Sequence, residues 1–265
     1  SGVTPANVRV TVDPNVFQAQ KGTSTVMLNV ASAQAVNAVA PIRVLINSRE
    51  PDQRGTFVNV PGTLVDAIAD PVRDRYYILR QDQNQVLVFD ASNNTQIGTL
   101  RTYNVPSAMA ITLDKRYLLV GHYDSQTIAV YDLETLQAMP YISVEAGAGN
   151  TVHSLAVSNK AILATSTDFQ GKGHVLKIDF SARSATQLAT LGIFQNTIAT
   201  DAVVVASSNG AKALVAGSDG SVYLYDANAD TFTVGRSDFK GLSGAYAASS
   251  FDQFVVGPNM LNEIG

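Results

Sequence analysis

Short apolar runs closed by Asp recur along the chain: Val86-Leu87-Val88-Phe89-Asp90, Ile128-Ala129-Val130-Tyr131-Asp132, Val175-Leu176-Lys177-Ile178-Asp179 and Val222-Tyr223-Leu224-Tyr225-Asp226. The closing Asp residues fall 42, 47 and 47 positions apart. Successive rather than alternate positions are apolar, which is the pattern of a strand buried on both faces. A second run precedes each of these, at Tyr76–Leu79, Tyr117–Val120, Ala161–Thr165 and Ala213–Ala216, with a further copy at Gln253–Val256. Earlier still comes a first run: Ser107–Thr112, His153–Ser158, Asp201–Ala206 and Ala245–Ser249, with a looser copy at Leu64–Ala69. A weaker fourth run closes the unit, at Gln96–Leu100, Tyr141–Val144, Gln187–Leu191 and Phe232–Val234. Asp114-Lys115-Arg116, Asn209-Gly210 and Asp219-Gly220 punctuate the runs as turns.

Four strands repeating every ~40–45 residues define the blade of a β-propeller. The expected fold is therefore all-β, with four-stranded antiparallel blades and the Asp-terminated strand third in each. Residues 42–61 read as half a blade: Arg43–Asn47 matches Gln85–Phe89, and Gly55-Thr56-Phe57 matches Gly98-Thr99-Leu100. The chain then holds four whole blades plus two halves. Residues 42–60 are expected to pair beside 245–257, because a ring has no capping repeat and closes with its two chain ends. The halves make a fifth blade, or they belong to a larger ring. Residues 41–265 form the propeller on this reading, and residues 1–40 stand outside the repeat. There, Val8–Val12 alternates, Thr25–Val30 reads as a second strand, and Gln20–Thr23 is a turn. That pattern resembles the edge of an immunoglobulin-like sandwich, followed by a bland linker, Ala31–Ala40. Two strands alone are not a stable domain.

Leu113-Asp114-Lys115-Arg116-Tyr117-Leu118-Leu119-Val120, followed by Thr127-Ile128-Ala129-Val130-Tyr131-Asp132-Leu133-Glu134-Thr135, resembles the bacterial YVTN-type propeller repeat. Ala69–Ile78 is similar, and the resemblance covers residues 42–258. It implies a bacterial, exported protein, with a seven-bladed ring beside immunoglobulin-like modules. It also implies kinship with the lactonase propellers of sugar metabolism. The chain departs from the pattern in lacking the regular Gly after the Pro-Asp turn.

Composition sharpens this picture. Asp outnumbers Glu eighteen to four, which favours turns over helices. Net charge is −4 with no basic stripe, so a nucleic-acid partner is not expected. There is no Cys, which rules out disulfides and thiolate chemistry. No apolar run reaches the ~18 residues of a membrane span. Abundant Ala, Ser, Thr, Asn and Gln with little Lys suits an extracellular or periplasmic bacterial protein.

The candidate chemistry is thin. Asp82, Asp124, Asp168 and Asp219 recur before the third strands, where short carboxylates bond the turn backbone. His122, His153 and His174 fall at different radii of the disc, so no shared metal is expected. Asp226-Ala227-Asn228-Ala229-Asp230 has the oxygen spacing of a calcium loop but has Thr231 at the Gly position and Ser237 at the Glu position, and it reads as a turn. No cofactor motif occurs, and no nucleophile elbow. The best candidate site is geometric. First strands line the central channel, and their starts place Ser107, His153, Asp201 and Ser243 at one mouth. A small polar ligand or a protein partner is expected there, with His153 raised in pKa by Asp201. The expected function is a non-catalytic binding or display scaffold, the alternative a lactonase-like hydrolase at the same mouth. Open blade edges provide a route to self-association.

Overall fold

A computed structural model describes residues 9–17, 22–29, 41–48, 55, 57–145, 151–240, 242, 244, 246–250, 252–257 and 259–261. The chain divides into two compact units, Ser1–Asn59 and Val60–Gly265.

In the first unit, one helical turn, α1 (Pro14–Phe17), precedes strands β1 (Gly22–Leu28) and β2 (Ile42–Ser48). These pair antiparallel from Gly22↔Ser48 to Leu28↔Ile42. Residues 42–48 are thus a strand, as the pattern predicts, but their partner is β1 and not the strands near 245–257. Alternation explains this choice: Val26, Leu28, Ile42, Val44 and Ile46 fall on one face of the pair. Gly55 and Phe57 lie outside any strand, with Phe57 90% exposed, so the expected fourth strand at 55–57 does not form. Residues 9–12 are exposed and are not a strand; Val8 and Ala31–Ala40 lie outside the described residues.

The second unit follows the repeat. The first strand set is β3 (Leu64–Asp70), β4 (Arg75–Arg80), β5 (Gln85–Asp90) and β6 (Gln96–Arg101). The second is β7 (Pro106–Ile111), β8 (Tyr117–His122), β9 (Thr127–Asp132) and β10 (Gln137–Val144). The third is β11 (Thr151–Val157), β12 (Ile162–Thr167), β13 (Gly173–Asp179) and β14 (Ser184–Gln187). A small hairpin, β15 (Thr190–Leu191) and β16 (Phe194–Gln195), leads to β17 (Val203–Ala206), β18 (Lys212–Ala216), β19 (Val222–Asp226) and β20 (Thr231–Arg236). The last set is β21 (Tyr246–Ala248), β22 (Phe254–Val256) and β23 (Asn259–Leu261). Within each set the strands pair antiparallel in chain order, so the Asp-terminated strand lies between the second and the fourth.

The third strands β9, β13 and β19 divide their side chains between two seams. Ala129 and Tyr131 join Tyr77, Val88 and Leu118 on one side, while Ile128 and Val130 join Leu176 and Ile178 on the other. Val175 and Tyr225 share the next seam, and Leu224 packs with Phe254 and Val256 in the last. Val88, Val130, Ile178 and Leu224 are 0%, 1%, 5% and 7% exposed. This double burial is why the runs are apolar at successive positions.

The first strands stand side by side in series, β3 by β7, β7 by β11, β11 by β17 and β17 by β21. An innermost strand leaves one backbone edge without a ladder, and buried amides need partners. Side chains of neighbouring sets supply them. Asp66 accepts the Met109 N–H at 2.7 Å, and the Ser154 hydroxyl accepts the Val204 N–H at 3.1 Å while donating to its carbonyl at 3.0 Å.

The Asp that closes each third strand serves its own turn. Asp90, Asp132, Asp179 and Asp226 accept the N–H groups of Ser92, Glu134, Ser181 and Asn228 at 2.8–2.9 Å. Four residues later, Asn94, Leu136, Arg183 and Asp230 all take positive φ, so one turn geometry is reused with four different residues.

Three features were not in the pattern. The outer strands β10 and β14 pair in parallel at Ser143↔Ser184 and Val144↔Ala185, which joins two sets into one eight-stranded sheet. The fourth strand of the third set lies at 184–187 rather than 187–191, and the β15–β16 hairpin takes the following residues. Gly192 makes that hairpin possible: its φ is +64, and an added Cβ would sit 2.0 Å from the Phe232 carbonyl oxygen. Finally, β23 adds a third strand to the last set.

Candidate functional site

β-Bulges set the site. The β7–β8 register shifts between Pro106 and Ala108, and the β11–β12 register shifts between Val152 and Ser154. Ser107 and His153 are the extra residues at these two bulges, which re-aim their side chains. The same bulge in β3 falls at Val65, one residue beyond the match expected at Leu64. Asp201 lies in the turn before β17 rather than in the strand, and Ser243 lies outside the described residues.

The structure links three of the four expected residues. The Ser107 hydroxyl donates to the Val152 carbonyl, adjacent to His153. His153 is half-buried, with Nε2 at 2.8 Å from Thr167 Oγ1 and 3.4 Å from Thr151 Oγ1. The edge of Tyr123 packs on its ring, with centroids 4.9 Å apart at 75°. Asp201 is exposed, accepts the Ser218 N–H at 3.3 Å, and its charge reaches both His153 and Tyr246. Tyr246 in turn donates to the Leu242 carbonyl at 3.1 Å.

Burial reverses one expectation. Asp201 does favour the imidazolium, but desolvation of the half-buried ring is the larger effect, so the His153 pKa is lowered rather than raised. Burial also raises the Tyr246 hydroxyl, and Asp201 adds to that. Near neutrality the site therefore holds a neutral imidazole and a phenol beside Asp201. Such a set donates and accepts hydrogen bonds to a polar group.

The other histidines are committed elsewhere. His122 is fully buried and its pKa is pushed down to about 4 by burial. Its Nε2 accepts the Tyr103 N–H at 3.2 Å, so the proton sits on Nδ1 and is donated to the Thr127 carbonyl at 3.0 Å. Both nitrogens of His174 are engaged: Nε2 lies 2.9 Å from Asp168 Oδ2, and Nδ1 lies 2.7 Å from the Asn196 carbonyl and 2.9 Å from Gln187 Nε2. The Lys172 N–H, then His174, hold the Asp168 carboxyl below its usual range.

Asp219 bonds its own turn through the Ser221 N–H at 2.9 Å, whereas Asp82 reaches outside its turn. Asp82 accepts the Thr63 N–H at 2.9 Å and pairs with Arg80 at 3.0 Å; this partner first, then the amide, lowers it to about 2. In the calcium-like loop, Asp226 pairs with Lys212 and Asp230 with Lys177, each at 2.8 Å.

Tyr123, Thr151, Thr167 and Tyr246 escaped the sequence reading. The faint signal for Thr151 and Thr167 is their cross-strand pairing, which a strand register would have given. Tyr123 and Tyr246 come from other strand sets, and no local pattern marks them.

No family model and no curated protein matches the chain. Among solved structures it is similar to hydrazine synthase of Kuenenia stuttgartiensis, with 18% identity and a TM-score of 0.52 over 75% of this chain and 55% of that one. It is also similar to U3-55K, with 18% identity and a TM-score of 0.53 over 72% of this chain and 55% of that one. The chain thus spans little more than half the length of either. These neighbours are of β-propeller type. With the antiparallel sheets and adjoining first strands, they define the class: an all-β protein of propeller-like fold. Among the described residues no helix is long and apolar enough to cross a membrane.

Proposed function

We propose that the chain is the propeller part of an exported bacterial protein of the YVTN-repeat type, acting as a non-catalytic binding or display scaffold. The observation that carries this is how the polar groups are allocated. His122 and His174 have both ring nitrogens engaged, and the Asp carboxylates that close the third strands bond their own turns. Among the described residues, His153 keeps Nδ1 without a hydrogen-bond partner, beside Asp201 and Tyr123 at the start of the inner strands. A small polar ligand, or a polar side chain of a protein partner, fits there. Low Lys content supports an extracellular or periplasmic setting. In this reading the parent ring is seven-bladed, residues 1–40 come from an immunoglobulin-like module, and exposed strand edges permit self-association.

The second reading is a lactonase-like hydrolase. One contact favours it: the Thr167 hydroxyl lies 2.8 Å from His153 Nε2, a hydroxyl within reach of a base.

Glucono-lactone separates the two. For a scaffold, lactone opening in the presence of the protein stays at the buffer rate, and His153→Ala and Asp201→Asn change nothing. Opening well above the buffer rate that falls in both variants would overturn the scaffold in favour of the hydrolase.

A further inference from the structure

A cavity of about 210 Å³ lies at the opposite end of the inner strands from His153. Its walls come from four strand sets: Ile68 of β3, Met109 and Ile111 of β7, Leu155 of β11 and Val205 of β17. Ser107, His153 and Asp201 do not line it. Ser107 and His153 thus lie toward the starts of β7 and β11, and the apolar lining lies toward the ends of the same strands. An apolar concavity formed by convergent elements is the usual setting for a ligand.

One charged group stands at this cavity. Lys115 lines it from the turn after β7, half-buried, with φ +58 fixing the direction in which its side chain leaves the backbone. Its carbonyl accepts a hydrogen bond from Arg73 at 2.8 Å. Its ammonium has no ion pair or hydrogen bond among the described residues. The neighbouring Asp114 carboxylate is taken by the Thr112 hydroxyl at 2.5 Å and the Arg116 N–H at 3.1 Å. Ser207 is likewise engaged, with Asn209 at 2.7 Å and the Lys212 carbonyl at 3.1 Å.

We infer that this cavity is a binding site for a small amphipathic monocarboxylate, its apolar body among Met109, Ile111, Leu155 and Val205 and its carboxylate on Lys115. Charge complementarity selects the head group, because the one charged group on the wall is a cation, set beside apolar side chains and the Ser207 and Ser208 hydroxyls. The volume selects the size. It is below the roughly 300–1,000 Å³ of drug-sized sites, so a short aliphatic chain or a single ring fits. The site is separate from the mouth around His153 and does not depend on what binds there.

Hexanoate and hexanol, titrated into the full chain by calorimetry, test this. Wild type should bind hexanoate saturably, and about fivefold more tightly than hexanol, the worth of one partly screened ion pair. Lys115→Met, which keeps the apolar stem, should bring hexanoate to the affinity of hexanol and leave hexanol unchanged. Ala206→Leu, which fills the cavity, should weaken both ligands, and His153→Ala should alter neither. Melting curves establish that each variant is folded. Equal affinity for the two ligands in wild type, unchanged hexanoate binding in Lys115→Met, or no saturable binding of either would overturn the site. Loss of hexanoate binding in His153→Ala would move it to the mouth.

Discussion

His122 shows what a polar residue does when this fold buries it. The ring is fully buried and neutral, with one nitrogen donating and the other accepting. Its folded pKa of about 4 lies below the unfolded value of 6.5, so on acidification the unfolded chain takes up a proton first. Stability is therefore complete above 6.5, falls as pH drops from there, and stops falling through this group near 4. The loss is about 3 kcal/mol by linkage. Urea unfolding at pH 7, 5.5 and 4 should show it. His122→Gln should be less stable than wild type at pH 7 but lose much less between pH 7 and pH 4. His153, lowered in the same direction, contributes to the slope that remains. An unchanged slope would mean that His122 titrates normally. The turn carboxylates act later, because their folded pKa values lie below the usual carboxylate range and their contribution is lost only as pH falls through them. Their role was legible in the sequence because an Asp needs only the next two or three amides to make its turn. The role of His122 was not, since Tyr103 lies nineteen residues away.

At the scale of elements, side chains of neighbouring sets satisfy backbone groups of the inner strands. Ser154 both donates to and accepts from Val204 on the adjacent inner strand. Ser154→Ala removes both bonds and leaves a buried amide unpaired, at a cost of about 1–3 kcal/mol. Chemical denaturation should show that loss with an unchanged denaturant slope; a variant as stable as wild type would mean that water replaces the hydroxyl. The strands themselves were legible from apolar runs, and double burial from runs lacking alternation. Pairing was less so. Residues 42–48 match a third strand in sequence, yet they pair with β1, because an apolar run shows which faces are buried and not which backbone edge is met. The parallel join of β10 to β14 has the same character: it is made by backbone atoms at two positions and leaves no mark on side-chain type.

For the molecule as a whole, the repeat means that residues 64–256 form successive sheets, with the Asp-terminated strands β9, β13 and β19 sandwiched between two seams. The candidate mouth was legible only in part. Ser107, His153 and Asp201 follow from counting along the repeat, whereas Tyr123 and Lys115 stand in turns whose geometry the pattern does not carry, and Tyr246 opens a strand of a different set. The most direct measurement of the repeat is native-state hydrogen exchange resolved to single amides. Protection should peak in Val86–Phe89, Ile128–Tyr131, Val175–Ile178 and Val222–Tyr225, where both faces and both edges are covered, and should be lowest in the two-stranded β1–β2 pair. Slowest exchange in β1–β2, or third strands no better protected than the fourth strands β6 and β20, would contradict the account.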